Sequence, residues 1–330
     1  VGNVILSREN DRNIFIVKEW GSLTLKNLNF TVNLKQYSNE LIIVKGGNLT
    51  VLNSNFYDIR SVGIVSTSNG VQNNGNVYVD NITFKNIVGP LIRGGANITI
   101  NNISAEKCSN IYTYRGMEAY NVCFPVWNYI SISNSVFRSN TVGIVNLNPT
   151  IYSSSSSLGK NIVGDLSKST VFAYITNCSF VENNFIPSDY YASNRIGLGL
   201  GRSVYGTCHG EVNNCSFFDS NTVCYVSADL INNSYFYKND NSGIGNLDST
   251  YSYRGIATAN EVYYSVFIGN KAAYGGALAG TKIVHYSVFL NNSATYGGND
   301  IFVYDGEVDY SSNWWGSNQK PDGNRIFVHI

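Results

Sequence analysis

The chain has 330 residues, with 22 basic and 22 acidic side chains that cancel and a charged fraction of only 13%. No basic stripe is present to neutralise phosphates, so nucleic acid is excluded as the expected partner, and no apolar run of about 18 residues is present to span a bilayer. Hydrophobic residues make up 43%, enough for a continuous core, while Asn, Ser, Gly and Tyr supply the polarity, as turns and strand faces require.

Beginning at Val1 with no signal peptide, the sequence reads as a mature or excised fragment. The segment 1–22, with Phe15-Ile16-Val17 and Trp20, is expected to form an amino-terminal cap. Beyond it one short phrase recurs. Asn27-Leu28-Asn29-Phe30, Asn53-Ser54-Asn55-Phe56, Asn81-Ile82-Thr83-Phe84 and Asn134-Ser135-Val136-Phe137 share it, with Asn102-Ile103-Ser104-Ala105 a weakened copy. Asn177-Cys178-Ser179-Phe180, Asn214-Cys215-Ser216-Phe217 and Asn233-Ser234-Tyr235-Phe236 continue it. Tyr264 to Phe267 and Tyr286 to Phe289 put Tyr in the place of Asn, and Tyr310-Ser311-Ser312-Asn313 runs into Trp314-Trp315-Gly316. The spacing from Phe to Phe varies from 19 (Phe217 to Phe236) to 43 (Phe137 to Phe180), as in repeats with unequal loops.

Each copy opens on a period-two run: Leu23, Leu25, Asn27; Leu49, Val51, Asn53; Val77, Val79, Asn81; Ile98, Ile100, Asn102; Ile130, Ile132, Asn134. Alternate strand residues share a face, so the Asn is expected to point inward with the apolar pair. The expected internal ladder is Asn27, Asn53, Asn81, Asn102, Asn134, Asn177, Asn214 and Asn233, stacked amide to amide. After the Asn the apolar phase slips by one, which requires a corner in the chain. A second element, Phe-x-x-Asn, comes after it at Phe30/Asn33, Phe137/Asn140, Phe180/Asn183, Phe236/Asn239, Phe267/Asn270 and Phe289/Asn292, and reads as a turn into a further strand such as Gly143-Ile144-Val145. No Asn-Gly hairpin signal separates these strands, so they are expected to form a coiled parallel sheet with right-handed crossovers. The expected fold is all-β, one domain over 1–330 of about eleven coils with 306–330 as closing coil and carboxy-terminal cap.

Two stretches, Phe267-Ile268-Gly269-Asn270 with Tyr274-Gly275-Gly276-Ala277 and Phe289-Leu290-Asn291-Asn292 with Tyr296-Gly297-Gly298-Asn299, resemble the Phe-x-x-Asn and Gly-Gly-Ala motifs of polymorphic outer-membrane and autotransporter-like surface proteins. The end, Asn313-Trp314-Trp315-Gly316-Ser317-Asn318 with Pro321, resembles the Asn-Trp-Trp-Gly-x-Asn-x-Pro closing motif of adhesin-like surface proteins of methanogenic archaea. The Trp-Trp-Gly motif is the most specific part. The resemblance spans nearly the whole chain and implies a right-handed parallel β-helix at the cell surface that carries adhesion, commonly succeeded by further modules, so that Ile330 is expected to be a boundary within a longer protein.

Six cysteines in so neutral a chain fit an oxidising, extracellular setting, and their spacing matches no zinc pattern. Cys108 with Cys123, Cys208 with Cys224, and Cys178 with Cys215 in adjacent repeats are candidate disulfides, with buried thiols as the alternative. Sequons at Asn81, Asn102, Asn177 and Asn214 fall on the corner and are expected to be closed to glycosylation. Those at Asn29, Asn48, Asn97, Asn232 and Asn291 are the candidates.

Spacing swells to 32, 43, 37 and 31 in the repeats ending at Phe137, Phe180, Phe217 and Phe267. The extra residues carry Tyr112, Tyr114, Arg115, Tyr120, Trp127, Tyr152, Tyr190, Tyr191, Arg195, Arg202, Tyr205, His209, Tyr251, Tyr253 and Arg254. Tyr and Arg on adaptable loops over a rigid scaffold suit recognition of a glycan or protein of another cell, or else pin the loops down. Pectin lyases and polygalacturonases share the expected fold, so a polysaccharide-degrading enzyme is the alternative, with His209, Glu211, Arg202 and Asp219 as its candidate residues. The polygalacturonase signatures are absent, Cys208-His209-Gly210 being a partial echo, and the near-aligned acids Glu182, Asp219 and Asp240 read as solvated. A passive stalk is the third reading. No catalytic residue, cofactor or metal site is assigned, and the expected protein is an extracellular, monomeric adhesin domain.

Overall fold

The computed structural model describes residues 4–8, 14–32, 40–61, 64–67, 75–109, 122–126, 128–141, 143–147, 170–184, 196–200, 207–221, 224–242, 255–303 and 306–328. Every secondary-structure element among them is a strand, and no helix long and apolar enough to cross a membrane occurs among them. Strand pairing is parallel throughout, and repeats pair in register. Asn48–Tyr57 lies along Asn76–Lys85, which lies along Asn97–Glu106, placing Leu49 on Val77 on Ile98 and Phe56 on Phe84 on Ala105. Two compact units divide the chain, 1–173 with 202–208, and 174–201 with 209–330.

In the first unit a second parallel sheet of Phe15–Val17, Ile42–Val44, Val65–Thr67 and Ile92–Arg93 accompanies the repeat strands. Val4–Arg8 pairs with Leu28–Val32, so the segment expected to cap the repeats is itself built of strands that extend both sheets. Trp20 stands at a turn, 97% exposed. Phe30, Phe56 and Phe84 stack with centroids 4.5 and 5.2 Å apart. In the second unit Phe180, Phe217, Phe236, Phe267, Phe289 and Trp315 form one stack with steps of 4.5 to 5.2 Å. Each ring is buried, and a fully buried Phe contributes roughly 1.5–3 kcal/mol by removal from water.

The corners correct the sequence reading. Asn27, Asn53, Asn81, Asn102, Asn134, Asn177, Asn214 and Asn233 all have positive φ, between 46° and 58°, and all are exposed. A left-handed residue inserted between two strands adds one outward position, as a bulge does, so Leu52 and Asn53 both face solvent and Ser54 turns in. Asn tolerates this conformation better than other side chains that carry a Cβ. The amides do form ladders, but on the outside: Asn81 Nδ2 donates to Asn53 Oδ1 at 2.9 Å, and Asn233 Nδ2 to Asn214 Oδ1 at 3.2 Å. The sequons at Asn81, Asn102, Asn177 and Asn214 are therefore exposed rather than closed. Of the five glycosylation candidates, Asn48, Asn97 and Asn291 are exposed, and Asn29 and Asn232 are half-buried.

A second left-handed corner stands two residues after Phe56, Phe84, Ala105, Phe137, Phe180, Phe217, Phe236, Phe267 and Phe289, at Asp58, Asn86, Lys107, Ser139, Glu182, Asp219, Lys238, Gly269 and Asn291. The residue after a corner turns inward. At Ile59, Ile82, Ile87 and Ile103 it is apolar, and in most other repeats it is a buried polar side chain that accepts the backbone N–H of the corresponding residue one repeat before. After the first corner a hydroxyl does so: Ser265 Oγ donates to Tyr263 O at 2.8 Å and accepts from Ser234 N at 3.1 Å. Ser54, Ser135, Ser234 and Ser287 repeat the arrangement.

After the second corner the Asn of Phe-x-x-Asn serves. Asn270 Oδ1 accepts from Asn239 N at 3.1 Å, and Asn270 Nδ2 donates to Phe236 O at 3.0 Å. Asn140, Asn239 and Asn292 act in the same way in their own repeats. This is the internal Asn ladder. It ends on Asp300, which accepts from Asn292 Nδ2 and from Arg325 Nε, while Arg325 also donates to Phe289 O and Trp315 O.

Cys178 and Cys215 occupy the hydroxyl column in adjacent repeats and are buried thiols donating to Thr176 O and Asn213 O, each at 3.2 Å. The hydrogen bond from Cys178 holds the Cys215 thiol below the ordinary cysteine range. Cys108 and Cys208 are also buried thiols, and the side chains of Cys123 and Cys224 lie outside the described residues.

Two substitutions probe this interior. Asn270→Ala strands a buried N–H and a buried carbonyl and is expected to cost about 2–4 kcal/mol in chemical denaturation, whereas Asn214→Gly, which keeps the left-handed corner, stays within about 1 kcal/mol. The charge pair at the ladder's end responds to pH as well. Burial raises the Asp300 carboxyl above the usual carboxylate range, with the Arg325 hydrogen bond opposing the rise. An acid raised in the fold favours folding at low pH and loses that contribution as pH climbs through the folded value. Arg325→Met removes the opposing charge and is expected to cost about 3–5 kcal/mol at pH 7. The loss is smaller near pH 4.5, which the difference in melting midpoint between variant and parent across that range measures.

Candidate functional site

Between its two corners each repeat presents a three-residue arc, with the ring inside and its two neighbours outside. In the first unit most outward positions are polar, at Asn29 and Thr31, Asn55, Thr83 and Lys85, Ser104 and Glu106, with Tyr57 and the 39% exposed Val136 as exceptions. Asn55 donates to Asn29 at 2.7 Å, and Lys85 faces Glu106 at 3.4 Å. In the second unit Ser179 and Ser216 are still polar, and from Phe218 onward the same positions are aromatic or aliphatic. Phe218 comes after Phe217, Tyr235 and Tyr237 flank Phe236, Val266 and Ile268 flank Phe267, and Val288 and Leu290 flank Phe289. Trp314, bridged to Val288, continues this face and is 46% exposed, while Trp315 is buried on Phe289.

Outward apolar residues are not explained by the core, which these strands already supply from their other side. Phe218, Tyr235 and Tyr237 pack on one another with centroids 5.6 to 6.4 Å apart. Lys238 Nζ lies 4.9 Å over the Tyr237 ring, and its hydrogen bond with that side chain raises the ammonium above the ordinary lysine range. The result is a half-buried aromatic cluster rimmed by a cation, with Asp219 one repeat before Lys238 in the same corner column.

At the first corner, Tyr264 and Tyr286 stand at φ 49° and 54° where the eight repeats before them have Asn. An ordinary L-residue in this region costs about 1–2 kcal/mol, and Tyr has no short side-chain polar group to offset it locally. The two rings are 58% and 56% exposed and stack 5.0 Å apart at 12°, a contact that contributes about 0.5–1.5 kcal/mol. Beside them Tyr263 donates to Glu261 at 3.0 Å, the hydrogen bond that raises its phenol. His285 lies 5.9 Å from the Tyr263 ring, with Nε2 3.4 Å from Asp309. Hydrogen bonds from Ser311 hold the Asp309 carboxyl below the usual carboxylate range.

Most residues expected to form a recognition surface lie outside the described residues: Tyr112, Tyr114, Arg115, Tyr120, Trp127, Tyr152, Tyr190, Tyr191, Arg195, Arg202, Tyr205, Tyr251, Tyr253 and Arg254. His209 is described and exposed, with Nδ1 3.6 Å from Asp229, whose carboxylate also accepts from Gly210 N and Asn260 Nδ2 at 2.9 Å. Glu211 is on the same strand face, but Asp219 stands two corners further along, and Arg202 lies outside the described residues. Asp240 is engaged by Ser242. No group of three or more His, Cys, Asp or Glu placed to hold a metal ion occurs among the described residues. The outward aromatics at 218, 235, 237, 264 and 286 do not lie in the enlarged loops; their trace in the sequence is an apolar residue beside Phe217, Phe236, Phe267 and Phe289 and Tyr in place of the corner Asn.

The face assignment has a direct check. Phe217→Ala removes a buried ring and is expected to cost about 3–5 kcal/mol, whereas Phe218→Ala, its neighbour on the solvent side, costs about 1 kcal/mol or less in the same denaturation assay. No protein-family model matches the chain, and no curated protein matches it in sequence.

Proposed function

We propose that the chain is a right-handed parallel β-helix domain of a cell-surface adhesin, binding a glycan or surface protein of another cell through the outward aromatic face of residues 209–330. The fold reading is supported by in-register parallel pairing of successive repeats and by two left-handed corners in each, together with the right-handed preference of parallel crossovers. The resemblance of Asn313 to Pro321 to the closing motif of archaeal adhesin-like proteins points the same way, toward an extracellular setting. One observation carries the binding reading: outward positions that are mostly polar in the earlier repeats are aromatic or aliphatic in an unbroken run from residue 218 on, at Phe218, Tyr235, Tyr237, Val266, Ile268 and Trp314. Aromatic residues with a charged rim are what recognition surfaces concentrate. Single contacts on such a face are weak, and many copies on a surface add avidity.

The test is retention of labelled protein on intact microbial cells and insoluble polysaccharides, with sugar release read from the same tubes. Saturable retention that falls at least tenfold in Phe218→Ser/Tyr237→Ser, without sugar release, is the expected outcome. Sugar release would replace the adhesin reading with the polysaccharide-degrading enzyme, and no retention on any surface would leave a passive stalk.

A further inference from the structure

The first-corner position is Asn in eight repeats, then Tyr264, Tyr286 and Ser312, all in the left-handed conformation. Stacking covers one face of Tyr286, the face toward Tyr264. Its other face looks along the column to the next layer, where Tyr286 N donates to Ser312 O and the side chain at the column position is a single hydroxymethyl group. Serine there is exposed and too small to cover a phenol ring. The face of Tyr286 turned away from Tyr264 thus meets only Ser312 at its own corner position, in a segment whose Asp309, Ser311 and Trp314 are also exposed.

Three features favour a sugar on this face. The ring face carries negative quadrupole density, which the polarised C–H groups of a pyranose meet well. Asp309, Ser311 and Ser312 are exposed polar residues of the neighbouring segment that can take hydrogen bonds from sugar hydroxyls, and a carboxylate accepts more strongly than a neutral group. Tyrosine is also conformationally costly at this corner, and backbone strain kept at an exposed position is a mark of function. We propose that a neutral pyranose unit of a glycan chain stacks on the open face of Tyr286 above Ser312. The charge preference comes from Asp309, which repels a uronic or sialic acid, while Lys282 is directed toward Gly306 instead. This deepens the adhesin reading and rests on it.

The probes are cellohexaose, mannohexaose and hexagalacturonate, measured by saturation-transfer NMR and titration against the parent, Tyr286→Asn, Tyr286→Phe and Phe218→Ser. Asn is the residue that most repeats use at this corner, so Tyr286→Asn folds with an unchanged or higher melting midpoint and its binding loss is not a folding loss. The expected result is binding of at least one neutral hexasaccharide, weakened tenfold or more in Tyr286→Asn and kept in Tyr286→Phe, with hexagalacturonate at least tenfold weaker. Undiminished binding in Tyr286→Asn, or equal binding of hexagalacturonate, overturns the proposal and leaves the adhesin reading standing. So does a failure of all three sugars to bind while the protein is still retained on cells. Loss of both kinds of binding rejects both.

Discussion

The left-handed corner is the constraint on which the rest of the structure depends. A strand alternates in and out, so a chain that turns within each repeat must break the alternation. Here it does so twice per repeat, with one residue at positive φ each time. Each break places an extra residue outside, and where the next repeat offers a polar side chain it is that side chain, not a strand, that receives the backbone N–H of the residue turned inward. Burying such a group unpaired costs about 1–3 kcal/mol. Repeated along the chain, that cost exceeds the stability of a typical domain, which is about 5–15 kcal/mol. The polar residues inside the Phe stack are therefore part of the core's design: Ser after one corner and Asn after the other, each serving the repeat before it. The aromatic stack supplies burial, and the two polar columns make the turns that bring the rings together tolerable.

This explains where polar and apolar residues sit. Asn292, Asp300 and Arg325 end the inner amide column with a charge pair, because the last amide has no further Asn to serve. Cys178 and Cys215 take the hydroxyl position, where a thiol can still donate to the carbonyl two residues back. With the interior satisfied this way, the outward arc positions are free of structural duty. In the first unit most are polar, Tyr57 and Val136 apart. From Phe218 on they are aromatic and aliphatic, and the corner Asn gives way to Tyr264 and Tyr286, choices that folding alone does not require.

The Asn-x-x-Phe phrase makes parallel, in-register repeats legible in the sequence, since rings at one position of every copy can only stack if the copies do. The direction of the corner Asn is not legible. Reading period two straight through Asn53 puts it inside with Leu49 and Val51, and only a positive φ puts it outside with Leu52. The second corner shares no residue type, passing through Asp58, Lys107, Ser139, Glu182 and Gly269, so it is visible only in backbone angles. The inner ladder leaves a trace in Phe-x-x-Asn that reads equally well as a turn. Of the expected loop site, His209 alone falls among the described residues, and the surface at 218–314 is set by which side of each Phe its neighbours take.

Hydrogen exchange of the native protein tests the corner account most directly, through the backbone amides of Ser234, Ser265, Asn239 and Asn270. Each of these N–H groups donates to a side-chain oxygen of the next repeat rather than to a strand. The account predicts protection equal to that of Phe236 and Phe267 in the adjoining arcs. Exchange at the rate of an open turn, with the arcs still protected, would contradict it and remove the reason for polar columns inside an aromatic core.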